Sequence, residues 1–381
     1  MPRAAGIALL GLVLAVVAGV FDASPLYVPG VGFIVLGALT SGWVALSARG
    51  VSVTRTLEVR RVVEQEPLTV RIDVLAGKLP LPVATVEDPL LDAPLALPAG
   101  ARSHQFTAVA RFQRRGRRRV APPALVLRDP LELARALVRG GGVEDLLVLP
   151  RTSPVAFGGG RGDDGRSNGG LGALLGAAPT EVDGVQPYRE GTPASRIHWS
   201  ALARGAGLME RRLRVESDAR PLVVLDTRTD ALDTGTSRHD LDMAVRAAAS
   251  LTLTLARAGG CSLLLPGDRR PAPIEEDLNG WAAAHVRLAL VDGGESVPAP
   301  SLASAGLRRG ALLYVSARRV ERIPATARAI TRGEALLVVP GRVQGREAAF
   351  GVAGCSGYRM PASGRANGAA ATGASIEGSR P

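Results

Sequence analysis

Lysine is almost missing from this chain of 381 residues: Lys78 is the one lysine among 46 basic side chains. A formal net charge of +11 would ordinarily point to nucleic acid or an anionic surface as partner. Here the excess is nearly all arginine and comes with abundant Ala, Gly and Val, which reads as the coding bias of a GC-rich genome. No helix-turn-helix or zinc-finger spacing accompanies it, so nucleic acid is not expected as a partner. Cysteine is scarce too. Cys261 and Cys355 lie far apart without C-x-x-C spacing, which excludes a disulfide-stapled scaffold and gives no reason to expect an oxidising compartment. The four histidines, His104, His198, His239 and His285, show no metal-ligand spacing on a common helix. Aromatics make up 3% of the chain, so any cluster of them stands out.

The common catalytic templates are missing as well. The one Gly-Lys step, Gly77-Lys78, is followed by Leu79 and belongs to no Walker A motif, so the chain is not itself a P-loop ATPase. The one G-x-S-x-G spelling, Gly165 to Gly169, falls inside a Gly-rich run instead of between a strand and a helix, so it makes no nucleophile elbow. That run, Gly158 to Gly176, also contains Gly160-Arg-Gly162-Asp-Asp-Gly165. A dinucleotide site needs a helix directly after these glycines, and Asp163 and Asp164 would repel a pyrophosphate. The run reads as a flexible connector, placed at residues 151–180. No cofactor is expected.

What is present begins with two apolar runs. Ala4 to Phe21 is uncharged, Asp22-Ala23-Ser24-Pro25 forms a turn, and Leu26 to Ala48 is uncharged again. A hydrocarbon core of about 30 Å needs on the order of 20 helical residues, so each run is long enough to cross it. Arg3 precedes the pair and Arg49, Arg55, Arg60 and Arg61 follow it, which puts both ends in the cytoplasm of an inner-membrane protein. The competing reading is a cleaved signal peptide with Val16 and Ala18 at the cleavage site, and it leaves the second run unexplained. Residues 1–48 are therefore read as a transmembrane hairpin.

Residues 51–150 carry strand signals. Val51 to Val59 and Leu68 to Val74 alternate apolar with polar residues, as does Phe106 to Phe112. Short strands punctuated by Gly77, Pro80, Pro82, Pro89, Pro98 and Gly100 predict a small antiparallel β-sandwich-like domain. Leu131 to Val138 is read as a helical turn between strands. The arginines from Arg111 to Arg119 have three readings: a clamp pairing with Asp183 or Glu190, a contact with lipid headgroups, or a solvated hairpin. From Pro221 the period changes. Strands at Pro221–Asp226, Cys261–Leu265, Ala311–Val315 and Ala335–Val339 alternate with helices at Asp240–Ala258 and Trp281–Leu290. This pattern predicts a Rossmann-type parallel sheet with helices on both faces over residues 181–345. Asp226 falls at the C-terminal end of a strand, where such folds bind ligands. Residues 351–381 are read as a disordered tail.

The densest chemistry lies between Gln186 and Arg212. Tyr188, Arg189, Gly191, Arg196, His198, Trp199 and Arg204 crowd one short segment, and Thr192-Pro193 predicts a helix start. Ile197, Ala201, Ala194 and Leu208 would line one stripe of that helix. The segment makes either a buried polar clasp or a recognition surface. Its Y-R-x-G-x-P-x-x-R-I-H-W-x-x-x-A-R pattern resembles the signature of the bacterial family known as domain of unknown function 58. Arg114-Arg115-Gly116 and Asp129-Pro130-Leu131-Glu132-Leu133 resemble a second segment of that family, and together the likeness spans about residues 1–260. Thr192 stands where the family has Asp, and Glu210 precedes Arg211 instead of following an arginine.

The resemblance implies a membrane-anchored, non-enzymatic adaptor with a von Willebrand factor A-like domain. It implies partnership with a MoxR-type AAA+ ATPase and with a transglutaminase-like membrane protein. A von Willebrand A-like domain often holds Mg²⁺ through D-x-S-x-S, whereas this chain reads Asp226-Thr227-Arg228-Thr229-Asp230, which replaces both serines and adds a cation. No metal is expected; Asp226 would hold one only in a surviving degenerate site, where Thr227, Thr229, Asp230 and Asp233 could supply oxygens only on a different loop path. Two alternatives stand beside the adaptor. One is a hydrolase using His198, with Ser195 and Ser200 nearby, and the surrounding acids; the other is a basic membrane-surface protein.

Overall fold

The computed structural model describes residues 2–157, 181–188, 197–205, 207–214, 220–230, 235–303, 310–331 and 333–360. The chain divides into two compact units, Met1–Leu149 and Pro150–Pro381.

The first unit opens with helices α1 (Pro2–Val20) and α2 (Tyr27–Ser47), joined by a short turn in which Asp22 takes a positive φ of 52°. Both are long and apolar enough to cross a membrane. Their seam is built of small residues. A Cβ on Gly11 would come within 2.5 Å of the Gly30 carbonyl oxygen, and one on Gly37 within 2.7 Å of that of Ala4. Such approach lets two helices pack without large side chains between them. Leu9, Leu12, Val16, Val31 and Leu39 point outward and are exposed. That arrangement is compatible with membrane anchoring.

Ten strands follow: β1 (Ser52–Leu57), β2 (Arg61–Val63), β3 (Pro67–Leu75), β4 (Val83–Glu87), β5 (Leu95–Leu97), β6 (Ser103–Arg111), β7 (Gly116–Val120), β8 (Ala124–Arg128), β9 (Arg135–Arg139) and β10 (Glu144–Leu149). They form sheets ordered β1-β3-β6, β2-β10-β7 and β5-β4-β8-β9. The period of two expected for β3 buries Leu68, Val70, Ile72 and Val74, which join Val53, Val86, Leu125, Leu127, Leu146 and Val148 in one core. The expected antiparallel arrangement needs one correction: β10, the last strand, returns parallel to β2. A second correction concerns Leu131 to Val138. Asp129 caps a tight turn through Ala134, and Arg135 to Val138 lie in β9, where alternation prevails over helix propensity. Arg55 is buried in this unit, bonded to Asp88 (3.0 Å), Glu144 (2.7 Å) and the Ala121 carbonyl (2.9 Å).

In the second unit, β11 (Ala156–Phe157) precedes a two-stranded sheet of β12 (Glu181–Pro187) and β13 (Met209–Arg214), with helix α3 (Trp199–Ala203) between them. Then come β14 (Leu222–Asp226), α4 (Gly235–Arg257), β15 (Cys261–Leu264), β16 (Ala272–Ile274), α5 (Trp281–Leu290), β17 (Leu312–Ser316), α6 (Ala325–Ala329), β18 (Ala335–Pro340), β19 (Phe350–Val352) and β20 (Cys355–Met360). Eight of these strands form one mixed sheet, ordered β11-β19-β20-β18-β17-β14-β15-β16. The four central strands, β18, β17, β14 and β15, run parallel, and both flanks are antiparallel. The expected all-parallel sheet is thus the middle of a mixed one. Central strands such as Leu222-Val-Val-Leu-Asp226 are buried throughout because helices cover both faces.

The expected end of this domain at 345 is also corrected. Phe350, Val352, Cys355 and Tyr358 are buried, and β19 and β20 extend the sheet. Ala353 and Gly354, with φ of 49° and 84°, make the two-residue turn between them. Glycines that made this stretch look like tail sequence serve its packing: Phe350 lies so close to Gly357 that no Cβ fits there. At the other boundary β11 joins the sheet from within the expected connector, while residues 158–180 and 361–381 lie outside the described residues.

Candidate functional site

β14 ends in a carboxylate at the rim of the sheet. Asp226 is 2% exposed, yet both of its oxygens are bonded. Oδ1 accepts from Arg228 Nε at 2.9 Å and from the Arg228 backbone N–H at 3.1 Å; Oδ2 accepts from Arg228 Nη2 at 2.7 Å and from the Tyr314 hydroxyl at 2.6 Å. Tyr314 comes from neighbouring β17, whose Ser316 sits beside Asp226 in parallel register. Burial works to raise the Asp226 pKa, but the hydrogen bonds from Arg228 and Tyr314 outweigh it and hold the carboxyl below its ordinary value. The same contacts leave Arg228 firmly cationic, and burial together with Asp226 pushes the Tyr314 phenol upward.

These residues do not fit the divalent ion that a von Willebrand A-like reading implies. A hard cation needs several oxygens free to converge on it, and the two of Asp226 are already spanned bidentately by a guanidinium. The Thr227 and Thr229 hydroxyls are buried without a partner, but two neutral oxygens beside a satisfied carboxylate do not make up for a resident cation. Asp230 is exposed, and Asp233 lies outside the described residues. No group of three or more His, Cys, Asp or Glu that could hold a metal occurs among the described residues.

The signature segment is placed in part. Arg189, Gly191 and Arg196 lie outside the described residues, as do Thr192 and Pro193. Tyr188 directly follows β12, its N–H donating to the Leu208 carbonyl at 2.9 Å. Ile197 makes a β-bridge to Glu210 instead of joining a helical stripe, and Leu208 is likewise outside the helix. His198 is the N-cap of α3: its Nδ1 accepts the Ala201 N–H at 3.1 Å, and its own N–H donates to the Met209 carbonyl at 2.8 Å. The helix start expected at Thr192-Pro193 falls outside the described residues, and the cap at His198 belongs to α3 alone. Arg204 ends α3 and is exposed. Trp199, at the first helical position, is 57% exposed, with Leu202 and Leu208 exposed nearby. Trp199 thus lies at the surface, while Arg189 and Arg196, which a clasp would use, lie outside the described residues.

In the first unit, the Arg115 N–H donates to Glu64 Oε1 at 2.8 Å, and Gly116 has a φ of 117°, a conformation that favours glycine. Asp129 is 2% exposed and accepts from the Leu131 and Ala134 N–H groups, while Pro130 is exposed. Both motifs hold turns. Arg119 meets Asp145 at 3.8 Å with both side chains largely exposed, and Arg111 donates to the Gln65 carbonyl at 2.7 Å. Glu190, one carboxylate proposed for that arginine run, lies outside the described residues. Sequence reasoning missed Tyr314, although a tyrosine inside a buried strand of an aromatic-poor chain was a usable signal for a bonded hydroxyl. It also missed the pairing of Arg55 with Asp88 and Glu144, for which no local signal exists.

Comparison of the chain with family models and with curated proteins finds no match.

Proposed function

We propose that the chain is a membrane-anchored, non-enzymatic adaptor of the domain of unknown function 58 type. Its second unit recognises a MoxR-type AAA+ ATPase, with a transglutaminase-like membrane protein as a further partner in assembling or remodelling an envelope complex. The observation that carries this reading is the surface at α3, where Trp199, Leu202 and Leu208 are exposed on a capped, bridged segment. Large aromatics displayed on ordered backbone are what protein interfaces use as anchors. The locked state of Asp226 supports recognition over catalysis, because a carboxylate spanned by Arg228 is poorly placed to act as base or nucleophile. The von Willebrand A-like assignment draws support from the four parallel central strands, the antiparallel edge at β16, and a carboxylate ending a central strand. Arginines at both outer ends of the helical pair support a cytoplasmic location for the two units.

Affinity capture from detergent-solubilised membranes tests the reading. The wild-type chain is expected to retain an AAA+ ATPase, and Trp199→Ala to lose most of it while melting within a degree or two of wild type. Recovery of no AAA+ ATPase, with or without nucleotide, would overturn the proposal. One contact favours an enzyme instead: Ser200 Oγ lies 3.0 Å from His198 Nδ1. That nitrogen already accepts the Ala201 N–H, so it serves as a cap and is ill-placed as a base. His198→Ala separates the two, since an enzyme loses turnover with its fold intact, whereas a cap residue costs about 1 kcal/mol of stability.

A further inference from the structure

The strand most closely tied to the apolar helices is β9, and its outer side has no assigned role. The Ala4 N–H donates to the Leu133 carbonyl at 3.0 Å, and Ala4 and Val44 are each 1% exposed within the same core that takes in Leu133, Ala136 and Val138. The strand domain is therefore fixed against the helix ends. The helices have no length to spare. α1 is 19 residues, which at 1.5 Å per residue matches a hydrocarbon core of about 30 Å almost turn for turn. Ala4 sits near its start, so the carbonyl it bonds lies close to the hydrocarbon boundary. Trp43, 46% exposed near the end of α2, and Tyr27, 44% exposed at the other end, mark the two interfaces that amphipathic aromatics favour. The residues beside Leu133 must then occupy the headgroup layer.

Those residues have the composition that the layer selects. Arg135, Leu137 and Arg139 alternate along β9 on its exposed side, with Leu137 52% exposed between the two cations. At the preceding turn, held by buried Asp129, Leu131 is 58% exposed. Arg128, opposite Arg135 in register, adds a third charge, and exposed Arg3 and Arg49 flank the helix ends. Arg128, Arg135 and Arg139 have no ion-pair partner among the described residues. Glu132 is the one exposed carboxylate on the turn. Leucines displayed among unpaired arginines are costly in water and favourable where acyl chains meet phosphates.

We propose that β9 and the turn before it form a lipid-contact surface for an anionic leaflet, with Leu131 and Leu137 entering the acyl boundary and Arg128, Arg135 and Arg139 binding phospholipid phosphates. This rests on the reading that α1 and α2 lie in the bilayer, and the test separates the two. The full chain carries one nitroxide at a time, at Leu137→Cys, Val109→Cys or Val13→Cys, in phosphatidylcholine bilayers with and without phosphatidylglycerol. The native cysteines are both buried and do not compete for label. Val109 is exposed near the far end of β6, since Leu75 and Ser103 pair at the end where Gly77 meets Arg49. It serves as the water reference, and Val13 as the lipid reference.

In phosphatidylglycerol bilayers, the label at 137 is expected to show at least about threefold lower nickel-chelate accessibility than the label at 109. Arg135→Gln with Arg139→Gln should lower the phosphatidylglycerol retained on native mass spectrometry at least about fivefold. Equal accessibility at 137 and 109 with 13 protected would overturn the lipid surface and leave the hairpin reading standing. Water access at 13 as high as at 109 would overturn both. Leu137→Asp, at a position 52% exposed, is likewise expected to lower the retained phosphatidylglycerol, and unchanged retention would overturn the lipid surface.

Discussion

Two arginines with similar partners serve different environments. Arg55 is enclosed, its side chain 1% exposed, and it meets Asp88, Glu144 and two backbone carbonyls. Removing one member of such a group leaves the others buried and unpaired, so Arg55→Met is expected to lower stability by about 3–5 kcal/mol, measured as a shift in urea midpoint. Arg228 is partly open, 28% exposed, and holds Asp226, which is 3% exposed as a side chain. Arg228→Ala is expected to cost about 2–4 kcal/mol, while Tyr314→Phe removes one neutral donor and costs about 1–2 kcal/mol. The double change Asp226→Leu with Arg228→Leu should cost less than Arg228→Ala alone, because it leaves no stranded charge. A preformed divalent site would be stabilised by ligand according to concentration over affinity. With Arg228 in place, millimolar Mg²⁺ is expected to leave the melting midpoint unchanged, and a rise of several degrees would show that the guanidinium yields to the ion.

Helix α5 carries the clearest pH response among the elements. His285 Nε2 donates to the Pro150 carbonyl at 2.7 Å, and the ring stacks on Trp281 with centroids 4.7 Å apart. Burial lowers its pKa below the ordinary 6.5, outweighing the opposing hydrogen bond. The unfolded chain therefore takes up a proton before the folded one does, so the contribution is intact above pH 6.5 and is lost as pH falls below it. Urea midpoints, followed by Trp281 emission, should fall between pH 7.5 and 5.5 in the wild type, and His285→Phe should flatten that fall. A histidine inside Trp281–Leu290 was readable from the sequence, but its partner at Pro150 was not, since 135 positions separate them. The same division holds across the elements. Apolar helices, central strands and the long α4 were legible because one period dominates each. The parallel return of β10, the strand β9 and the terminal hairpin at Ala353-Gly354 were not, because pairing across the fold decides them. At the candidate site, the strand-end position of the Asp226 carboxylate was foreseen and its occupancy by Arg228 was half foreseen. His198 as a cap was not, for histidine is an unusual choice there.

If α1 and α2 span a bilayer, as proposed, the whole molecule turns on which side of it the rest of the chain occupies. The pair α1 and α2 begins and ends at one level, since Ala4 and Val44 share one core, and it turns at Asp22. Arg3, Arg49, Arg60 and Arg61 lie at the outer ends, and the turn carries no basic residue. In short loops such asymmetry keeps arginine in the cytoplasm, because moving it across costs more than moving an uncharged turn. Fusing a fluorescent reporter that matures only in the cytoplasm to the C-terminus is therefore expected to give signal, and a reporter active only outside should stay silent there. Ala23→Cys in the turn should react with a membrane-impermeant maleimide on intact spheroplasts, while Val109→Cys in β6 should react only after lysis. The opposite pattern would place both units outside, where no ATP-dependent partner could reach the Trp199 surface. It would also put β9 against the outer leaflet, so a single labelling experiment bears on the adaptor reading and on the lipid that Arg135 and Arg139 meet.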